Sequence, residues 1–526
     1  MEIQPPLPVK NGQTVPTLLT NRRRSERALF LVLLLGVLCL VPLLVIAGVA
    51  FGFSLVAVLL GLVVLIALIV RWPIVGFFVA LGCTLLIEQT PLAILGNGPL
   101  IYVFYWPASL QNGLPDRPIG FLMLFVLLVF MVQGLLTLRK PLAGGALLVP
   151  YLLFLLCVAW GVVHGLSSGG DLKITIDEVR SFWYLFLGYL LAYNLVNSKQ
   201  HVRTVFWFII LCAGIKALEG FYIYIYILHG FLDSTNEIMS HEESYFWIAV
   251  LLLIMLFSLH SMYRPQFFTA LALVPFLLIA LVANNRRVDF GALAVGMLVA
   301  WLLIFCVKPK LRRALIIILL ISLVVCGAYV AAFYNGGGGF SAPARAVISL
   351  FHPDPRDAAS NLYRSIEDYD LVYTVSKNPL GLGFGKPFLE PILLPNILSL
   401  DPVYLYIPHN TIYWVWMRLG SVGYVALWYL FGSMIVRGCV YARQLKDKYL
   451  QLVAIFVVAM IIMEIIVAFY DYQLSFYRNV IYVGMLSGIL MKLPALDSDT
   501  KEEKQTYETT RAHTELSHAN VGSRDA

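Results

Sequence analysis

ALFLVLLLGVLCLVPLLVIAGVAFGFSLVAVLLGLVVLIALIV, residues 28–70, carries no charged side chain and governs how the rest of the chain is read. A helix takes roughly 20 residues to cross about 30 Å of hydrocarbon. This run is therefore two spans long and predicts a hairpin turning near Gly48 and Gly52. Similar runs follow and predict spans over Pro73–Leu95, Ile119–Leu138, Ala146–Val163, Ser181–Val196, Thr204–Leu228, Tyr245–Ser261 and Phe267–Ala283. Gly291–Val307, Ala314–Phe333, Thr411–Val436, Tyr449–Phe469 and Asn479–Met491 complete a set of about fourteen, counted at the length one crossing needs. Of the 526 residues 60% are hydrophobic and 13% charged, with mean hydropathy +0.82. Soluble domains carry about 25% charge, so a soluble globular protein is excluded. Alternation at period two is absent, which argues against an outer-membrane barrel. Only helices satisfy the backbone of such runs in lipid. The fold class expected is all-α and polytopic.

The net charge of +7 is no sign of nucleic acid, because the basic residues form short groups between the apolar runs. With a cytoplasmic amino terminus, these groups, from Arg71 through Lys308, Lys310, Arg312 and Arg313 to Lys492, fall on the cytoplasmic side. The opposite connections are neutral or acidic, as with Asp233, Glu237, Glu242 and Glu243. Arg22–Arg27 (RRRSER) precedes an apolar run too long for a cleavable signal, so an uncleaved anchor is expected. Both termini are then cytoplasmic, and the charged tail 492–526 is expected to be disordered. The seven cysteines, Cys39, Cys83, Cys157, Cys212, Cys306, Cys326 and Cys439, lie in or beside apolar runs without metal-ligand spacing. They read as small buried hydrophobes.

One outer connection breaks the charge rule. Ala283–Phe290 (ANNRRVDF) carries Arg286 and Arg287, and paired guanidiniums suit bidentate capture of phosphate oxygens. They also suit simple anchors reaching for lipid phosphates. The long segment Tyr334–Pro408 lies on the same face, and long loops are usually functional or disordered. Within it, Leu362, Ile366, Tyr369 and Tyr373 fall on one helical face and predict an amphipathic helix packed by that face. NPLGLGFGKPF (Asn378–Phe388) is a glycine-rich turn, and Ile407-Pro408-His409-Asn410 opens the next span. Arg364 is either a phosphate ligand or a partner of Glu367 or Asp368 on its own helix. His409 is either a base for a hydroxyl proton or an interfacial cap. Lys216 and Glu219 can pair along one helix face, the alternative being a functional role for charges within the membrane. Glu464 sits mid-span without an evident partner, and Asp471 and Arg478 flank the last outer connection near an acceptor cleft.

From about Val274 to Leu430 the chain resembles the O-antigen ligase and polymerase superfamily of bacterial envelope glycosyltransferases. The resemblance rests on NNRRVDF, the arginine helix followed by NPLGLGFG, and HNTIYWVWMRLGSVGYVALW (His409–Trp428) with Gly420 and Gly423. It departs where Asn284 and Asn285, rather than serine or threonine, precede a doubled arginine, and in having more spans than the commoner twelve or so. The resemblance implies a fold like the C-type glycosyltransferases and an undecaprenyl-diphosphate-linked glycan donor. It also implies a glycan or lipid acceptor, no cofactor and no metal. Its catalytic set would be His409 as base with Arg364 and Arg287, and Arg286, Asn410 and Arg478 would bind substrate. Membrane lipids and polysaccharide export or chain-length proteins would be the partners, in the bacterial inner membrane. The expected organisation is a cytoplasmic tail over 1–27, amino-terminal spans over 28–266, and a catalytic membrane domain over 267–491 with its outer loop 334–408. A flippase for the same lipid carrier is the competing reading. Transporters show repeats and paired broken helices, and the two halves of this sequence do not correspond.

Overall fold

The computed structural model describes residues 53–89, 103–105, 116–137, 142–231, 237–260, 263–336, 339–349, 351–394 and 405–498. The chain forms two compact units, Met1–Trp72 and Pro73–Ala526. In the first, α1 (Phe53–Arg71) is the second arm of the expected hairpin. The first arm, its turn and Cys39 lie outside the described residues, as does the tail beyond Ser498.

Every regular element among the described residues is helical, as composition requires. The second unit begins with α2 (Pro73–Leu86), α3 (Pro118–Leu136), α4 (Leu148–Ser167), α5 (Leu172–Leu195) and α6 (Lys199–Tyr222). It continues with α7 (His241–Leu259), α8 (Arg264–Ala283), α9 (Arg287–Val307), α10 (Arg312–Ala332), the short α11 (Ala342–Ile348) and α12 (Pro355–Lys377). α13 (Thr411–Gln444), α14 (Lys448–Ala468) and α15 (Tyr477–Ser498) close the chain. Ten helices among the described residues are long and apolar enough to cross a membrane. The larger set expected from hydropathy includes α5, whose first half carries Lys173, Asp177, Glu178 and Arg180. The last helix outruns its hydropathy by several residues and covers the start of the expected tail.

α14 and α15 are almost wholly buried, and α13, α9 and α7 pack against α14. The outer helices turn leucine and valine outward, with Leu136, Leu156 and Val324 each more than two-thirds exposed. At roughly 25 cal/mol per Å² of apolar surface, such a surface is stable only against lipid. The described cysteines are unpaired, and of them Cys212 is buried. Cys306 and Cys326 are exposed, contrary to the reading of all as buried, because their helices face outward.

The glycine-rich turn is built into the bundle. Leu382 and Gly383 N–H donate to Met417 and Arg418 carbonyls (2.8 and 3.1 Å), and Phe384 N–H donates to Gly161 O (3.1 Å). Gly383 has φ +79°, and a Cβ there would meet Gly165 Cα at 2.4 Å, so glycine faces glycine where the turn crosses α4. The turn's carbonyls run to one side chain: Arg418 Nη1 donates to Gly383 O (2.9 Å) and Lys386 O (2.6 Å), and Nη2 to Tyr406 O (2.7 Å). Arg418 also pairs with Glu178 (2.6 Å), both without exposed side-chain surface. Glu178 accepts in turn from Gly385 N–H (2.7 Å) and Trp414 Nε1 (3.2 Å).

α12 forms where the pattern predicts it, with Asp354 capping its start and Pro355 in the first turn. Its packed face differs from the expected one. Glu367, Asp370, Leu371, Thr374 and Val375 are buried, whereas Leu362 is 62% and Tyr369 54% exposed. The helix turns Glu367 and Asp370 inward and leaves Leu362 and Tyr369 outside, with Ile366 and Tyr373 half-buried between them.

Removing one partner of a buried ion pair leaves an uncompensated charge, worth about 3–5 kcal/mol. Glu178→Gln is therefore expected to destabilise the protein by that order, and Gly383→Ala to do so through the clash with Gly165. Both are read as lowered thermal midpoints of the detergent-purified protein. Wild-type melting of Glu178→Gln would remove the pair from this role.

Candidate functional site

His409 and Asn410 reach the bundle through the buried Pro408, and Asn410 then caps α13 by accepting from Tyr413 N–H (3.0 Å). The pair docks in register on two consecutive acids of α12. His409 N–H donates to Glu367 Oε2 (3.0 Å), Glu367 Oε1 lies 3.2 Å from His409 Nδ1, and Asn410 Nδ2 donates to Asp368 Oδ1 (2.9 Å). Glu367 is 1% exposed, so its position is set by packing. A carboxylate accepts hydrogen bonds, which places the ring hydrogen on Nδ1 and makes Nε2 the proton-accepting nitrogen. This is the orienting logic of a histidine–carboxylate dyad. Burial pushes the Asp368 carboxyl up to about 6, against the donation from Asn410.

The doubled arginine follows a left-handed residue, Asn285, with φ 54°. Asn284 is buried and anchors the connection, accepting from Met239 N–H (3.1 Å) and donating to Ser244 Oγ (2.9 Å). The two guanidiniums then diverge. Arg286 pairs with Glu237 (2.6 Å), and Arg287 with Asp357 at the start of α12 (2.9 Å), near Ser349 Oγ (3.3 Å). Arg364 donates back to Ser360 Oγ (2.9 Å), while Glu367, its expected helix partner, takes His409 instead.

These groups share one electrostatic environment. Burial pushes the Arg364 guanidinium down, Asp471 opposes this, and Arg287 and Arg286 add to it. Burial pushes Arg286 down too, but Asp471 and Glu237 raise it overall. Burial alone would lift the Asp471 carboxyl; His241 beside it, then Arg286 and His409, hold it well below the ordinary carboxylate range. The site thus includes residues that the sequence did not single out. His241 opens α7, with Asp471 Oδ2 2.8 Å from Nδ1 and Glu237 Oε2 3.0 Å from Nε2. Tyr472 lies between the two histidines, 5.4 Å from the His409 ring and 5.7 Å from the His241 ring by centroid. Tyr363 packs edge-on against His409 at 5.5 Å.

With the arginines and the histidine dyad gathered at one end of the bundle, comparison with known families becomes informative. Residues 271–428 match the O-antigen ligase family. The match covers well under half of the chain and contains Arg286, Arg287, Arg364, His409 and Asn410. It supports the O-antigen ligase and polymerase superfamily to which the sequence was likened. No curated protein matches the chain. His241, Glu237, Asp471 and Tyr472 lie outside the O-antigen ligase segment and join it through folding.

Arg478 is placed elsewhere. It is fully buried, 2.6 Å from Glu243, with Nε donating to Thr84 O (2.7 Å) and Nη2 to Leu85 O (3.1 Å), beneath the Phe246 ring. These contacts tie α15 to α7 and α2. The expected Lys216–Glu219 pair forms (2.6 Å) and gains Glu88 (2.7 Å) from α2's far end. Glu464 is buried and accepts from Asn479 Nδ2 (3.4 Å).

Glu367→Gln retains shape but not charge, and an amide NH₂ turned towards Nδ1 favours the wrong tautomer. Turnover is expected to fall roughly 10²–10⁴-fold, within the range for a dyad's carboxylate, with melting little changed. Glu367→Gln turnover near wild type would show that the dyad does not orient the base.

Proposed function

We propose that this membrane glycosyltransferase of O-antigen ligase type moves glycan from an undecaprenyl diphosphate carrier to a hydroxyl acceptor at the outer face of the bacterial inner membrane. The observation that carries the reading is the His409–Glu367 dyad set beside three arginines at the end of a lipid-facing bundle. Arg286, Arg287 and Arg364 supply fixed donors where charge collects on the departing diphosphate. His409 Nε2 takes the proton of the acceptor hydroxyl as its oxygen bonds to the anomeric carbon. The bond from that carbon to the diphosphate oxygen breaks, and its electron pair leaves with the lipid diphosphate. Asn410, held by Asp368, frames the acceptor side. The arginines carry the counter-charge a metal would otherwise provide, so transfer runs without one. Polymerisation of O-antigen or exopolysaccharide is the favoured outcome, in which a second lipid-linked glycan is the acceptor; chain-length and export proteins are its expected partners.

His409→Ala is expected to lower turnover roughly 10²–10⁴-fold, the usual contribution of a placed general base, with donor binding little altered. Arg364→Ala and Arg287→Ala should weaken donor binding as well as turnover, and lysine should rescue only in part. The measurement is glycan transfer by purified protein in EDTA. Near-normal polymer from a folded His409→Ala variant, or loss of activity restored by magnesium, would overturn the mechanism.

The orientation has its own check. Ser360 accepts from Arg364, so cysteine is better placed at the exposed Ser365 of α12. It should react with an impermeant maleimide in outer-membrane-permeabilised cells. Labelling only after inner-membrane lysis would put the site on the cytoplasmic face.

A further inference from the structure

The Arg286 side of the site holds a carboxylate oxygen in an unusual grip. Glu237 Oε2 lies 2.6 Å from Arg286 Nη2 and 3.0 Å from His241 Nε2. One oxygen is thus shared by a guanidinium and an imidazole, each from a helix start: Arg286 caps α9 and His241 opens α7. Helix amino termini add positive potential at the same point.

The two carboxylates around His241 are held differently. Asp471 is buried and pinned by its own surroundings, accepting from Tyr472 N–H (3.0 Å) and Gln473 Nε2 (3.2 Å) as well as facing His241 Nδ1. Carboxylate oxygens only accept, so the contacts with Asp471 and Glu237 place a donor at Nδ1 and another at Nε2, and the Asp471 contact orients the ring. Glu237 stands on the non-helical stretch ahead of α7, with a quarter of its side chain exposed, and its described partners are the Arg286 guanidinium and the His241 ring themselves. Its carboxylate lies at hydrogen-bonding distance from both and, unlike that of Asp471, is partly open to solvent.

We infer that Glu237 Oε2 occupies the place of a phosphoryl oxygen of the donor, and that His241 is a further diphosphate-binding residue acting with Arg286. Asp471 is its positioning residue. This rests on the proposed reading of the site as a diphosphate clamp and extends it to residues outside the O-antigen ligase segment. The arrangement gives Glu237 a role in turnover. An internal carboxylate that competes for the same donors lowers the affinity for bound diphosphate, and so speeds release of the spent lipid carrier. Uniformly tight binding of substrate and product would slow that step without assisting the chemistry.

The test uses the full-length protein in detergent, with inorganic pyrophosphate as the probe and binding followed by titration calorimetry. Glu237→Gln removes the competing charge and is expected to tighten pyrophosphate binding several-fold. His241→Ala is expected to weaken it by about tenfold, the worth of one charge-assisted hydrogen bond. In the His241→Ala background Glu237→Gln should tighten binding less, because the two act on one oxygen. His241→Gln, which retains a neutral donor, should recover part of the loss and guards against a merely misfolded alanine variant. If Arg286→Ala weakens pyrophosphate while Glu237→Gln and His241→Ala leave it unchanged, the inference fails and the diphosphate clamp stands. If Arg286→Ala also has no effect, the clamp itself is wrong, and the inference falls with it.

Discussion

Arg418, a guanidinium without exposed surface, gathers three other stretches of chain. It holds the carbonyls of Gly383, Lys386 and Tyr406 and the carboxylate of Glu178. Tyr406 is three residues before His409, so the approach of the histidine to α12 is set by this guanidinium. The glycine turn can lie against α4 only because its carbonyls find such a donor. Buried carbonyls without one would each lose a hydrogen bond that water had supplied. Nη1 and Nη2 supply the four contacts of the junction from one rigid fork, and a lysine ammonium, with three donors at a single point, could not span it.

The same arithmetic governs the rest of the polar layer. Charges out of water are tolerated when paired and hydrogen-bonded. Lys216 meets Glu88 and Glu219, and Arg478 meets Glu243 and two carbonyls at the end of α2. The Arg478 contacts tie α15 to α7 and α2, and Lys216 ties α6 to the segment that follows α2. The candidate site is built otherwise. Arg286 and Arg287 meet carboxylates whose side chains keep part of their surface exposed, and the dyad histidine is itself partly exposed. Partners that water can solvate are partners that a ligand can replace, and this distinguishes the site from the Arg418–Glu178 and Arg478–Glu243 pairs, whose side chains expose no surface.

Much of this was legible in sequence because hydropathy and charge asymmetry are local signals. The helices, the exceptional arginine pair and the histidine opening a span could all be read residue by residue. The face of α12 could not. A periodic apolar stripe marks the packed side of a helix in water, yet here Leu362 and Tyr369 face outward and Glu367 faces in. Glu367 meets a histidine 42 residues later, a pairing that no local pattern encodes. Arg418 carried the most usable missed signal, since an arginine inside an apolar run must have a partner at hand. Its partner, Glu178, sits in the half of α5 that hydropathy set outside the span.

The family segment and the site therefore do not coincide. Residues 271–428 bring Arg286, Arg287, Arg364 and His409, yet Glu178, Glu237 and His241 precede that segment, and Asp471 and Tyr472 follow it. A ring nitrogen of His241 is oriented by a residue 230 positions further on. The surrounding helices thus help to build the site, because they place the acid that faces one imidazole and the carboxylate of the junction that leads to the other. Variation in these flanking helices would leave the arginine and histidine pattern untouched while reshaping the walls around it. On the proposed reading of the site, it is there, rather than in the shared segment, that a preference for one acceptor over another has room to arise.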